Sequence, residues 1–216
     1  MATLARFIAE KYKDSIQSGI GKSMTKPSVL ILGAGLMQQP AILSAKELGF
    51  RAVVVDANPN AESVPLADEF KEIDLKAKDE ILNFAEELTE NSNLKGIFTA
   101  GTDFSASVSY AGEKLGFSCH SYEAALNATI KPRMRKCFER CDVPSPKYFS
   151  LSGAEITEKN VLSAVEKLSF PCVVKPADNM GARGCRMIRS MDEAWRSVKI
   201  AAGNSRTSTV ILEEYM

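Results

Sequence analysis

The sequence has little that would commit it to an unusual environment. Its charge leans neither way, with 27 Lys and Arg against 27 Asp and Glu and a formal net charge of +0 at pH 7. That balance argues against a general basic field as the source of affinity for nucleic acid or a membrane surface. No apolar run approaches the roughly 20 residues that a membrane span needs. The N-terminus lacks an apolar core of signal-peptide length, and Glu10 and Asp14 suit a transit peptide poorly, so the expected location is the cytoplasm. Cysteine is scarce and odd in number: Cys119, Cys137, Cys141, Cys172 and Cys185 show no CxxC spacing and suggest neither a disulfide framework nor a zinc site. Cys137 and Cys141 are spaced to share a helix face, and Cys119 adjoins the one histidine, His120. Buried or incidental thiols are preferred here over metal or catalytic roles. What remains is ordinary: 45% apolar and 25% charged residues over 216 positions, enough for one large or two modest globular domains.

Three regions follow one another. In residues 1–26, Leu4, Phe7, Ile8, Tyr12 and Ile16 recur at helical spacing before "QSGIGKSMTK" breaks the pattern, which predicts an accessory helix and a linker. Gly21-Lys22-Ser23 imitates the end of a phosphate-binding P-loop, but Ile16 occupies the required earlier glycine position and no strand leads in. In residues 27–120, strands and helices alternate. "SVLILGAG" is a buried strand and glycine turn, "QQPAILSAKELGF" a helix and "RAVVVDANP" a second strand, with "DEFKEIDL", "AKDEILNFAEELTE", "LKGIFTAGTD" and "FSASVSYAGEKLGF" continuing the alternation. That grammar predicts a doubly wound parallel sheet of the α/β class. Ligands on such sheets sit at the carboxyl ends of the strands, here residues 33–38, 56–60 and 101–103. Residues 121–216 predict a small α+β unit. Its helix opens at "IKPRMRKCFERC", and the strand "PCVVKP", the loop "ADNMGARG", the strand "CRMIRS", another helix and the terminal strand "TVILEEYM" come after.

Two stretches carry chemistry. After the first strand, Gly33 and Gly35 open a turn whose amides and following helix could face an anion, and Asp56 closes the second strand as in dinucleotide-binding sheets. Gln38 stands where the third glycine of that fingerprint would be, so a phosphate or carboxylate site is favoured over a nicotinamide site, and a merely structural turn stays open. The second stretch is tighter. Lys175 ends a buried apolar strand, which is costly unless its ammonium meets an anion, and a glycine-bearing loop with Arg183 follows. Glycines let backbone amides approach phosphate oxygens while Lys and Arg supply charge, so the hairpin reads as a mobile lid over a polyphosphate. The plainer alternative is a surface hairpin with Lys175 snorkelling to water. Lys131 opens a helix, where its charge and the helix N-terminus could act on one phosphate. Arg133, Arg135, Lys136 and Arg140 read mostly as a solvated face.

The order of "IKPRMRKCFERCDVPSPKYF", "FPCVVKPADNMGARG" and "VILEEYM", preceded by "VLILGAGLMQQPAILSAKELGFRAVVVDANPNA", resembles the first part of the ATP-grasp superfamily. That superfamily includes biotin carboxylase, the carbamoyl-phosphate synthetase large subunit and the carboxylating and formylating ligases of purine synthesis. The resemblance covers residues 28–216. It implies a Rossmann-like domain followed by an incomplete ATP-grasp subdomain, with the chain stopping at the hinge of an ATP site. It implies that Lys131 contacts the ATP α-phosphate and Lys175 the α- and β-phosphates, and that Gly181, Ala182, Arg183 and Gly184 form the loop closing over them. Glu213, Glu214, Tyr215 and Met216 resemble the linker beside adenine, with the Glu214 carbonyl accepting and the Met216 N–H donating. Metal ligation by Glu213 and Glu214 is the less favoured alternative. By the same resemblance Gly33, Gly35, Gln38, Gly101 and Asp103 help hold the acceptor substrate.

The activity implied is an ATP-dependent carboxylate–amine ligation through an acyl phosphate, with Mg2+ held by residues beyond 216 and no catalytic or metal residue within this chain. Small carboxylate and amine substrates are the expected partners, with a homodimer allowed and no nucleic acid or membrane. Two other classes stay in view: a non-catalytic ATP-binding or regulatory protein, and an NAD-dependent oxidoreductase resting on Gly33, Gly35 and Asp56.

Overall fold

The computed structural model describes residues 26–216, so the accessory helix and the Gly21-Lys22-Ser23 segment lie outside the described residues. The chain divides into two compact units, Met1–Tyr122 and Glu123–Met216.

The first unit is built on β1 (Ser28–Leu32), β2 (Arg51–Asp56), β3 (Glu69–Glu72) and β4 (Leu94–Thr99), all parallel in the order β3-β2-β1-β4. Its helices are α1 (Gln39–Glu47), entered through a 3-10 turn at Leu36–Gln38, α2 (Lys78–Asn91) and α3 (Ser105–Lys114). Side chains alternate across a strand, so β1 serves two cores. Leu30 and Leu32 join Val53, Val55, Ile81, Phe84, Leu88 and Ala111, whereas Val29 and Ile31 join Val54, Ile42, Ala45 and Phe50. Burial on both faces explains why β1 and β2 read as unbroken apolar runs.

The second unit starts with α4 (Tyr122–Thr129), whose first residue belongs to the preceding unit, and α5 (Lys131–Arg140). Sequence reading placed no helix at α4, although Glu123, Ala124, Ala125 and Leu126 are good helix formers. Then come β5 (Tyr148–Ser152), α6 (Glu158–Leu168), β6 (Cys172–Pro176), β7 (Arg186–Ile188), α7 (Met191–Gly203) and β8 (Thr209–Glu214). The sheet is antiparallel throughout, in the order β5-β8-β6-β7. One face packs Cys172, Val174, Val210, Leu212 and Ile188 against Val161, Val165, Leu168, Ala194 and Val198 of α6 and α7. The period-2 alternation sends Val173, Lys175, Ile211 and Glu213 to the other face. Together the two units give the α/β architecture with its added α+β sheet. No helix among the described residues is long and apolar enough to cross a membrane.

Candidate functional site

In the first unit, the predicted substrate residues gather at the carboxyl ends of β1 and β4, where a turn has consumed its own donors. Gly33, at φ +104, gives its N–H to Val55 O at 2.8 Å, and Ala34 gives its N–H to Asp56 Oδ2 at 2.8 Å. The Gly35 N–H goes to Gln38 Oε1 at 3.0 Å, while the Gln38 side-chain amide donates to Ala100 O. Gln38 is 5% exposed, and both ends of its amide hold backbone. It therefore ties the β1 turn to the segment after β4 instead of presenting a free polar group. Asp56 is occupied too, since its other oxygen accepts the Asn58 N–H at 2.9 Å. Gly101, at φ +65, packs against Met37, so a Cβ there would meet the Met37 Cβ at 3.1 Å. The next residues repeat the pattern of internal satisfaction: Thr99 Oγ1 donates to Leu32 O at 2.7 Å and lies 2.7 Å from Thr102 Oγ1. Asp103 follows directly, with interactions of its own.

In the second unit, Lys131, Lys175 and Glu213 come together with a residue read from sequence as a solvated face. Lys131 is the first residue of α5, with Pro132 next, where its fixed φ suits a first turn. The Lys131 N–H, an orphan at the helix start, donates to Ala177 O at 2.9 Å, and its ammonium donates to Asn179 O at 2.7 Å. Burial, followed by the like charge of Lys175, pushes the Lys131 ammonium below the usual lysine range. Lys175 lies on β6 diagonally across from Glu213 on β8, because Val173 pairs with Glu213 and Lys175 with Ile211. Glu213 is 1% exposed; its Oε2 accepts from Lys175, and its Oε1 accepts from Arg135 Nε at 2.7 Å. Burial alone would raise the Glu213 carboxyl, but the hydrogen bonds and charges of Arg135 and Lys175 outweigh it and hold the group below its usual range.

Two readings change accordingly. Arg135 is drawn inward, and the anion that makes Lys175 affordable at the end of an apolar strand is a carboxylate of the chain itself. Glu213 acts through its side chain, with a cation on each oxygen, surroundings that repel a metal ion. Glu213 and Glu214 are also still within β8; the Glu214 carboxylate takes the Lys147 N–H at 3.0 Å, and only Tyr215 and Met216 lie past the strand, both exposed. Among the described residues, no three His, Cys, Asp or Glu side chains come together as a metal site.

The loop between β6 and β7 is anchored at its base. Asp178 accepts from Ser205 Oγ at 2.8 Å and from the Arg206 and Thr207 amides at 3.0 and 2.9 Å, and Asn179 Nδ2 donates to Asn204 O at 2.8 Å. Gly184 is required by packing, because a Cβ there would lie 2.7 Å from Asn204 Cβ and 2.9 Å from Pro176 Cγ, and its φ is +74. Gly181, at φ +68, has nothing within 4 Å of such a Cβ, and Ala182 adopts φ 57 without being glycine. The exposed stretch is thus Met180 to Arg183, in which the Arg183 guanidinium turns back to Met180 O at 3.4 Å.

Comparison with known proteins bears on both units. Residues 131–216 match the family described as "Carbamoyl-phosphate synthase L chain, ATP binding domain". The formate-dependent phosphoribosylglycinamide formyltransferase of Methanocaldococcus jannaschii is 28% identical over 204 residues, covering 91% of this chain and 50% of that protein. Phosphoribosylglycinamide synthetase from Anaerococcus prevotii superposes with a TM-score of 0.58 at 25% identity, covering 88% of this chain and 46% of that one. A similar fold, with a TM-score of 0.67 at 20% identity, is found in the biotin carboxylase domain dimer of Hydrogenobacter thermophilus 2-oxoglutarate carboxylase. That structure was solved with MgADP, ADP and bicarbonate, and the match covers 90% of this chain and 45% of that one. The chain spans about half the length of the relatives it matches. Over about nine tenths of its length it is similar to ATP-grasp ligases, and its residues 131–216 carry the match to their ATP-binding domain.

Proposed function

We propose that this chain supplies the substrate-side domain and one wall of the nucleotide site of an ATP-dependent carboxylate–amine ligase. The observation that carries this reading is the convergence of Lys131 and Lys175 beside the β6–β7 loop, within the segment that matches an ATP-binding domain. Burial depresses the Lys131 ammonium first and the like charge of Lys175 adds to it, so the pair makes a favourable place for a polyphosphate, since a bound anion relieves their mutual repulsion. Lys131 then holds the α-phosphate, Lys175 reaches the α- and β-phosphates, and residues 181–184 cover them. The Glu214 carbonyl and Met216 N–H face adenine.

In this reading ATP supplies the phosphoryl group that converts the substrate carboxylate to an acyl phosphate, which an amine then displaces. The residues of this chain bind and orient; positioning and electrostatics account for most of the rate in phosphoryl transfer. Mg2+ belongs to the reading as well, and the donor set here does not fit it, because Glu213 is spent on two cations and no other acidic cluster lies nearby among the described residues. Its ligands are assigned to sequence beyond residue 216. Gly33, Gly35 and Gly101 shape the acceptor turn, Gln38 braces it and Asp103 faces the substrate. A cytoplasmic location and a homodimer complete the proposal, the latter supported by the dimeric biotin carboxylase domain among the similar structures.

The test is calorimetric titration of the 216-residue chain with ADP, followed by Lys131→Met and Lys175→Met. Binding that weakens at least tenfold in each folded variant supports the reading. Undiminished binding in both would remove the two lysines from the site. For the substrate side, Gln38→Ala and Asp103→Ala in the complete enzyme should weaken substrate affinity, and unchanged affinity in both would sink that assignment.

A further inference from the structure

Arg135 is set apart from the other cations of α5. Its side chain is 17% exposed against 37% for Arg133, and its Nε bonds to a carboxylate that is 1% exposed, whereas Arg133 pairs with the exposed Glu123. The carboxylate it meets, Glu213, is shared: Oε1 goes to Arg135 and Oε2 to Lys175. A buried carboxylate facing Lys175 alone would hold that ammonium as a closed pair, in direct competition with any phosphate. A second cation on the opposite oxygen divides the negative charge. Glu213 can then orient Lys175 without neutralising it.

We propose that Arg135 is a charge-balancing residue of the nucleotide site, engaging one oxygen of Glu213 so that Lys175 remains available to an anionic ligand. This rests on the ATP-site reading above. Its role is to position and balance charge through Glu213, with no contact to the nucleotide required. Lys131, Lys175 and Arg135 against Glu213 and Asp178, the other carboxylate whose charge Lys131 feels, leave one net positive charge; loss of Arg135 leaves none, and loss of Arg135 and Glu213 together restores one.

The sum can be tested with substitutions that keep hydrogen bonding and change only charge. Arg135→Gln retains an N–H donor for Glu213 Oε1, and Glu213→Gln retains the carbonyl oxygen toward Lys175. With ADP titrated into each folded protein, Arg135→Gln should bind roughly tenfold more weakly than the wild-type chain, the scale of one unit charge a few ångströms away in a partly wet site. The double variant Arg135→Gln/Glu213→Gln should recover most of that loss, and Arg135→Lys should stay within about threefold of wild type, since it keeps the charge. If the double variant binds no better than Arg135→Gln, or Arg135→Gln binds like wild type, Arg135 is a structural residue and the inference falls. Absence of ADP binding by the wild-type chain overturns the ATP-site reading itself, a separate result. Thermal unfolding run alongside guards against misfolding; if Arg135→Gln does not fold, Arg135→Lys and Glu213→Gln still decide, because charge balance requires near-normal binding in the first and equal or tighter binding in the second.

Discussion

Arg135 and Glu213 stand 78 residues apart in the chain and are joined through Nε and Oε1 at 2.7 Å. The pair links the helix that starts with Lys131 to β8, an interior strand of the sheet, so the two lysines of the candidate site share a common brace.

Neutralising Glu213 should cost stability in a pH-dependent way. Glu213→Gln leaves two partly buried cations without their anion, and we expect a loss of about 3 kcal/mol at pH 7, near the low end for a broken buried pair because Lys175 reaches water. The folded carboxyl titrates below the ordinary value of 4.5, so the unfolded chain takes up the proton first. The wild-type contribution is therefore full above about pH 4.5 and disappears as pH falls through the lower folded value. Urea unfolding between pH 3 and 7 should show a gap between wild type and variant that is widest at pH 7 and closes toward acid.

Lys131 runs the other way. Its folded ammonium titrates below the ordinary value of 10.5, so the unfolded chain holds that proton more tightly and stability rises with pH between the two values. Lys131→Met should remove that rise while leaving stability at pH 7 within about 1 kcal/mol of wild type. Paired unfolding curves at pH 7 and pH 10 check both statements.

The two loop glycines should respond differently to alanine. Gly181→Ala meets no neighbour and pays only for its positive φ, about 1 kcal/mol. Gly184→Ala adds a clash with Asn204 and Pro176 and should cost about 2–3 kcal/mol. Thermal unfolding orders them, and equal losses would contradict the packing account.

Gln38→Ala should loosen the turn after β1. It strands the Gly35 N–H and Ala100 O together, for an expected loss of about 2 kcal/mol and faster amide exchange at Gly35. Gln38→Glu sets a carboxylate oxygen against Ala100 O at a buried position and should cost at least as much as Gln38→Ala.

Patterns of local origin were readable in the sequence. Unbroken apolar runs marked β1 and β2, glycine marked the turn after β1, and Pro132 marked the start of α5. The Lys175 reading called for an anion and supplied it as a polyphosphate; a sequence does not show that Glu213 lies diagonally across a strand pair and meets the ammonium first, because that depends on register between segments 38 residues apart. Arg135 was missed for the same reason: on a helix rich in Arg and Lys, only the tertiary partner distinguishes the inward cation. The α4 helix was missed although its signal was local, since eight residues offer little periodicity to read.

The anchoring of the β6–β7 loop sets the length of its lever. With Asp178 and Asn179 fastened to residues 204–207 and Gly184 seated against Asn204, the span that remains to swing is Met180 to Arg183. Four residues extend to roughly 13–14 Å end to end, and a span tied at both ends rises at most about half of that. A flap of that reach can arch over one phosphate chain but cannot sweep across a wide cleft, so its closure would work as a latch on a ligand already seated.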